Sequence, residues 1–330
     1  MKKCPRCTRD WPDTMRFCPE DGTRLPDLAG EDYLLGRTLD NKYLIKSKIG
    51  QGASGAVYRA RRLSIQDDVA VKVLKPELVA DSAATERFRR EALALGRIHH
   101  PNTIAVYDFG VTSDGITFLV MEMLSGRTLR QVLREEKMLD LHRTVHLFNQ
   151  MCSALNVAHN NKIIHRDLKP ENIIVEKYEG QGEVVKVIDF GLAKLRFTGN
   201  LMKTLTEQGR VAGTPYYMSP EQWMDKTIDA RTDVYGLGVI LYEMLTGCVP
   251  FNAPTVMQLA NKHVRIPPQP PNTLRPDLPK PVSDVVLRAL SKKPDDRPSS
   301  TLEFAQELTE AADCSLPPNL AGRNFPLRNV

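Results

Sequence analysis

Eight consecutive residues, His165-Arg166-Asp167-Leu168-Lys169-Pro170-Glu171-Asn172, constrain this chain more than any other feature. With about one residue type in twenty at each place, five fixed positions of that run (His, Arg, Asp, Leu, Asn) arise by chance at roughly one start in a few million. Coincidence does not explain it. Asp189-Phe190-Gly191 follows downstream of a short predicted hairpin, and Ser219-Pro220-Glu221 closes the next segment.

Three weaker signals precede the run in a matching order. Gly50-Gln51-Gly52-Ala53-Ser54-Gly55-Ala56-Val57 lies between two predicted strands, where glycines let a hairpin backbone approach phosphate oxygens that a Cβ would block. Alone, this is an ordinary glycine-rich turn. Lys72, in Val69-Ala70-Val71-Lys72 on the next strand, alternates onto the face of Ala70. A lone strand lysine is usually solvated. Glu91 follows Phe88 on a helix whose stripe Phe88, Ala92 and Leu95 is apolar, so it borders the packed face and can pair with Lys72. By itself it is a surface glutamate.

The periodicity divides the chain into two lobes. Tyr43–Ile49, Ala56–Arg62 and Asp68–Leu74 read as strands, followed by a helix near Ala83–Ile98 and two strands, Ile104–Gly110 and Ile116–Met121. Beyond Gly126 the pattern is mainly helical, clearest at His142–Asn160 and Thr232–Leu245, with a hairpin pairing Asn172–Val175 and Val184–Ile188. The Pro-rich run Ile266–Pro281 reads as an internal surface loop, with helix resuming at Val282.

Among 330 residues, 42% are apolar and 26% charged, the composition of a globular protein with a sizeable core. The net charge of +5 comes from 45 basic and 40 acidic residues with no long block of one sign, so nucleic acid and anionic membrane have no electrostatic support as partners. The run Val234–Val249 is broken by Gly236, Gly238, Glu243 and Gly247, which makes it a buried helix and not a membrane span. Met1-Lys2-Lys3-Cys4-Pro5 lacks the apolar core of a signal peptide, and the expected compartment is the cytoplasm.

From about Tyr43 to Ala312 the ordered motifs resemble the protein-kinase family, and especially the bacterial Hanks-type serine/threonine kinases. The resemblance implies an α+β, two-lobed fold with a small β-rich N-lobe (43–124) and a larger α-helical C-lobe (125–312), ATP and Mg²⁺ or Mn²⁺ as cofactors, and Ser/Thr hydroxyls of proteins as acceptors. Carried over by position, Asp167 takes the acceptor's proton, Lys169 sits beside the transferred phosphate, Lys72 binds the α- and β-phosphates and is held by Glu91, and Asn172 and Asp189 hold the metal. Ile49, Gly50, Gly52, Gly55, Val57, Ala70 and Ile174 surround the nucleotide. Met121, Glu122 and Leu124 form the connecting strand, with the Glu122 carbonyl and the Leu124 amide meeting adenine. The lysine in Asp167-Leu168-Lys169 and the threonine in Gly213-Thr214-Pro215 match serine/threonine kinases rather than tyrosine kinases. Glu221 and Arg297 match a structural ion pair, and Asp233 a residue that supports the catalytic loop. Arg166 offers a guanidinium to an activation-loop phosphate, and Thr204 and Thr206 resemble paired autophosphorylation sites, which implies transient self-association. A pseudokinase scaffold is the alternative, and the presence of Lys72, Glu91, Asp167, Asn172 and Asp189 argues against it.

Of six cysteines, Cys4, Cys7 and Cys18 crowd the first twenty residues. Cys4-x-x-Cys7 and Cys18-x-x-Asp21 resemble a zinc ribbon built from two knuckles, with Asp21 where such ribbons commonly carry cysteine. A head over 1–25, a connector over 26–42 and a flexible tail over 313–330 complete the expected organisation. A nucleic-acid role for the head is disfavoured by its balanced charges.

Overall fold

Strand-forming sequence in the first third is laid out as one antiparallel sheet, and helical sequence in the rest packs around one long buried helix. The computed structural model describes residues 2–4, 6–12, 15, 17–23, 25, 32–52, 54–75, 85–86, 89, 92, 95–96, 98–180, 182–190 and 214–313. They divide into two compact units, one of 1–80 with 107–123, the other of 81–106 with 124–330.

In the first unit, β1 (Lys2–Lys3) and β2 (Asp10–Trp11) pair in the head. The main sheet contains β3 (Thr38–Leu39), β4 (Tyr43–Gln51), β5 (Gly55–Arg62), β6 (Asp67–Leu74), β7 (Val106–Val111) and β8 (Thr117–Glu122), in the order β3-β4-β5-β6-β8-β7. Alternation sends Val69, Val71 and Val73 into a core with Tyr58, Phe118 and Val120, and Ala70 and Lys72 to the opposite face. That core also takes Leu34 and Leu39, which are 1% and 0% exposed. Asp32 accepts a hydrogen bond from the Tyr58 hydroxyl at 2.6 Å and an ion pair from Lys48 at 3.3 Å. The later half of the segment read as a connector is thus packed into the sheet.

The second unit holds helical residues at 85, 86, 89, 92, 95 and 96, then β9 (Arg127–Thr128), α1 (Leu129–Glu136) and α2 (Leu141–Asn160). A hairpin of β10 (Ile173–Tyr178) and β11 (Gly182–Val187) follows, with β9 on its free edge. Further helices are α3 (Pro220–Trp223), α4 (Ala230–Thr246), α5 (Val256–Arg265), α6 (Pro271–Leu274), α7 (Lys280–Ala289) and α8 (Thr301–Asp313). Every residue of α4 from Thr232 to Leu245 is buried, which is why its sequence is apolar on all sides. The Pro-rich run differs from expectation. Pro271 opens the one-turn α6, and α7 starts at Lys280 with Pro281 in its first turn, where a missing N–H costs nothing.

Candidate active site

The sharp turn at Arg166-Asp167 is held by a carboxylate from beneath. Asp233, in the first turn of α4 and 1% exposed, accepts from His159 Nε2 at 2.7 Å, from the His165 amide at 2.8 Å and from the Arg166 amide at 2.9 Å. Burial alone would raise its carboxyl, but the hydrogen bond and charge of His159, with the loop amides, hold it below the ordinary aspartate value. Arg166 has φ +66° and Asp189 φ +62°, a left-handed backbone that non-glycine residues rarely adopt. At Arg166 both backbone polar groups are paired, the N–H with Asp233 and the carbonyl with Gln222 Nε2 at 2.8 Å.

His165, fully buried, turns its ring into the loop. Its Nδ1 accepts from the Asp167 amide at 3.3 Å, which leaves Nε2–H to donate to the Ile188 carbonyl at 2.9 Å. The Ile188 amide donates to the Asn172 carbonyl at 2.9 Å, so Asp189 directly follows a residue tied to Asn172. Asn172 gives its Nδ2 to the Asp167 carbonyl at 2.7 Å, which leaves its Oδ1 as the atom able to meet a cation. The Asp167 carboxylate is aimed by Lys169 Nζ, 2.7 Å from Oδ2, and by Asn172 Nδ2 at 3.5 Å. Asp167 Oδ1 is buried and has no hydrogen-bond partner among the described residues.

Around this loop, Arg297 and Glu221 form a bidentate pair at 2.7 and 2.8 Å with side chains 0% and 5% exposed, joined by Thr232 Oγ1 at 2.8 Å. Sequence reading misses Arg130 on α1. It pairs with Glu171 at 2.8 Å and Glu243 at 2.6 Å and also meets the Tyr217 hydroxyl, which donates to Glu243 at 2.6 Å. No local spacing announces it, since its partners lie 41 to 113 positions away.

On the first unit, β6 pairs Lys72 with Val57 and Leu119, and Ala70 with Met121. Lys72 is 3% exposed. Gly55 is demanded by the fold, because at φ +154° its Cβ would fall 1.9 Å from the Val73 carbonyl oxygen. Among the described residues, a Cβ at Gly50 would meet nothing within 4 Å and one at Gly52 only the Gly55 oxygen at 4.0 Å, so their packing does not require those two glycines. Ile49 is exposed on β4, and Glu122 ends β8. Leu124 begins the second unit's long segment, and Ile174 lies on β10. Glu91, Thr204 and Thr206 lie outside the described residues.

In the head, the two knuckles have matching backbones. Thr8 N–H donates to the Cys4 carbonyl and Gly22 N–H to the Cys18 carbonyl, both at 3.0 Å, with φ +61° and +70°. The Cys4 amide donates to the Arg9 carbonyl as the Cys18 amide does to the Thr23 carbonyl. Asp21 therefore stands where Cys7 stands, and the four donor atoms lie within 4.8 Å of one another. Cys7 and Cys18 Sγ are 3.6 Å apart, and Cys4 Sγ is 3.4 Å from Asp21 Oδ2. Tetrahedral zinc, with Zn–S near 2.3 Å and Zn–O near 2.0 Å, needs edges of about 3.8 and 3.5 Å. Asp21 Oδ1 is taken by the Thr23 amide at 2.9 Å, the main cause holding its carboxyl far below the ordinary value, and Oδ2 is left toward the thiols.

A sequence model of the protein kinase domain matches residues 43–311. Serine/threonine-protein kinase pkn3 of Myxococcus xanthus is 44% identical over 287 residues, covering 86% of this chain and 52% of that protein. Serine/threonine-protein kinase PknB of Mycolicibacterium smegmatis is 40% identical over 283 residues, covering 84% and 44%. The crystal structure of the Mycobacterium tuberculosis PknI kinase domain matches with a TM-score of 0.67 at 26% identity, covering 84% of this chain and 98% of that one. The chain spans about half the length of the curated relatives it matches.

Proposed function

Because the chain belongs to the protein kinase family, we propose that it transfers the γ-phosphoryl group of ATP to serine or threonine hydroxyls of proteins, with Asp167 receiving the acceptor's proton. The observation that carries this reading is the state of the Asp167 carboxylate: Oδ2 is fixed by Lys169, while Oδ1 is buried and has no partner among the described residues. A buried carboxylate oxygen without a donor is costly, and an acceptor O–H supplies one. As the acceptor oxygen bonds to the γ-phosphorus, the bond to the β-γ bridging oxygen breaks, ADP leaves, and the hydroxyl proton passes to Asp167.

Lys169 screens the transferred group, and Lys72 orients the α- and β-phosphates. No described residue crowds a Cβ at Gly50 or Gly52, which suits a backbone that lies against phosphate. Asn172 Oδ1 and the Asp189 carboxylate are a hard-oxygen set that would hold Mg²⁺, whose charge would offset that of the phosphates during transfer. Val57, Ala70 and Ile174 offer apolar surface to adenine, and Glu122 and Leu124 its backbone partners. Arg166, Thr204 and Thr206 belong to the same reading as a phosphate-dependent control of the loop, set by autophosphorylation between copies. No described helix is long and apolar enough to cross a membrane. Purified chain incubated with Mg²⁺ and γ-labelled ATP should label serine and threonine in a peptide library. Label on tyrosine alone, or none at all, overturns the reading.

The head is read as a zinc site formed by Cys4, Cys7, Cys18 and Asp21, supported by the matched knuckles and the near-tetrahedral edges. About one zinc per chain is expected under reducing, chelator-free conditions, and its loss from Cys18→Ser is the check.

A further inference from the structure

Glu176 has no part in the roles above, yet its carboxylate is among the most heavily hydrogen-bonded in the second unit. It projects from β10 with the residue only 5% exposed. Oε1 accepts from the Ser125 amide at 2.8 Å, the Ser125 hydroxyl at 3.2 Å and the Gly126 amide at 3.2 Å, and Oε2 accepts from the Tyr178 hydroxyl at 2.8 Å. Two successive backbone N–H groups are therefore turned toward one oxygen immediately after Leu124. The peptide group joining Leu124 to Ser125 is planar and trans, so fixing the Ser125 N–H also fixes the Leu124 carbonyl, which points the opposite way. Gly126 presses the same segment onto β10: a Cβ there would fall 2.5 Å from the Val175 carbonyl oxygen and 2.7 Å from Ile174 Cγ2. The register continues into β9, where Val175 faces Arg127 and Ile174 faces Thr128.

We propose that Glu176 is a positioning residue for adenine: through Ser125 and Gly126 it fixes the Leu124–Ser125 peptide plane, and so limits how the neighbouring Leu124 amide can turn. The inference rests on the reading that Leu124 and Ile174 meet adenine. A carboxylate suits the task because charge-assisted hydrogen bonds to backbone N–H groups are stronger than neutral ones and tolerate less rotation of the peptide. A brace that served the fold alone would lower stability and the active fraction, and with it the apparent kcat, and leave the KM for ATP unchanged. A clamp on the adenine-facing backbone acts on nucleotide binding and leaves the reacting atoms alone.

The test is steady-state kinetics of the whole chain on a peptide acceptor, with ATP and peptide varied separately, for wild type, Glu176→Gln and Glu176→Ala. Glu176→Ala should raise the KM for ATP about ten- to thirty-fold, while kcat and the KM for peptide stay within about two-fold. Glu176→Gln keeps an acceptor oxygen for the two amides but loses the charge and the oxygen that meets Tyr178, so its KM for ATP should rise about two- to five-fold. A wild-type KM for ATP in Glu176→Ala overturns the proposal, as does a fall in kcat equal to the rise in KM. Should Glu176→Ala not stay folded, a wild-type KM in Glu176→Gln overturns it equally. Absence of saturable ATP dependence in the wild-type chain is a different failure, that of the nucleotide reading itself, and the proposal falls with it.

Discussion

At Asp233 one buried carboxylate accepts from His159, His165 and Arg166, and two of those donors are backbone amides of the loop that carries Asp167. Asn at this position keeps one acceptor oxygen but turns an NH₂ toward a donor, so Asp233→Asn should cost about 2–4 kcal/mol of stability and much of the activity. The pH dependence has a definite sign. The folded-state carboxyl is depressed below the unfolded value of about 3.9, so its stabilisation is present above that value and is lost as pH falls through the folded one. Urea unfolding at a series of pH values should therefore show wild type losing stability below about pH 4 faster than Asp233→Asn. Parallel curves contradict the assignment.

The short helix α3 shows how an element can hold a loop it does not contain. Ser219 caps it, with the Gln222 amide donating to Ser219 Oγ at 3.4 Å and the Ser219 amide to Gln222 Oε1 at 3.0 Å. The other end of the Gln222 amide group donates to the Arg166 carbonyl. Gln222→Glu keeps the capping acceptor but sets an oxygen in place of that donor against the Arg166 carbonyl, so initial rates should fall about three- to ten-fold with about 1 kcal/mol of stability lost. Gln222→Ala should lower both, with about 1 kcal/mol lost from the cap. Ser219-Pro220-Glu221 reads in the sequence as the close of a segment, although the spacing Ser219-x-x-Gln222 is itself a capping-box signal. The run from His165 to Asn172 is legible because its spacing along the chain is its chemistry. Arg130 and Glu176 are not legible, because each acts on partners brought near only by the fold. The helical turn Pro271–Leu274 is hidden for another reason: proline there opens a helix instead of breaking one.

Over the whole molecule, the packing of Leu34, Leu39 and Asp32 into the first unit's sheet separates two truncations that the sequence alone leaves equivalent. Removal of residues before Asp32 should leave kinase activity within about two-fold and unfolding unchanged. Removal of everything before Tyr43 takes away two fully buried leucines, about 3–6 kcal/mol of burial, and should unfold the unit at markedly lower denaturant. Equal midpoints for the two would show that the sheet's core does not need this segment. The head, with its own knuckles and small core of Cys4, Cys18 and Leu25, can then be tested for metal independently of catalysis. The central claim concerns Asp167, and the most direct measurement is single-turnover phosphoryl transfer by Asp167→Asn, with ATP affinity determined on the same preparation. The expected result is a loss of about 10²- to 10⁴-fold in transfer with ATP affinity unchanged, the signature of a missing proton acceptor at an intact site. Transfer at the wild-type rate would contradict it.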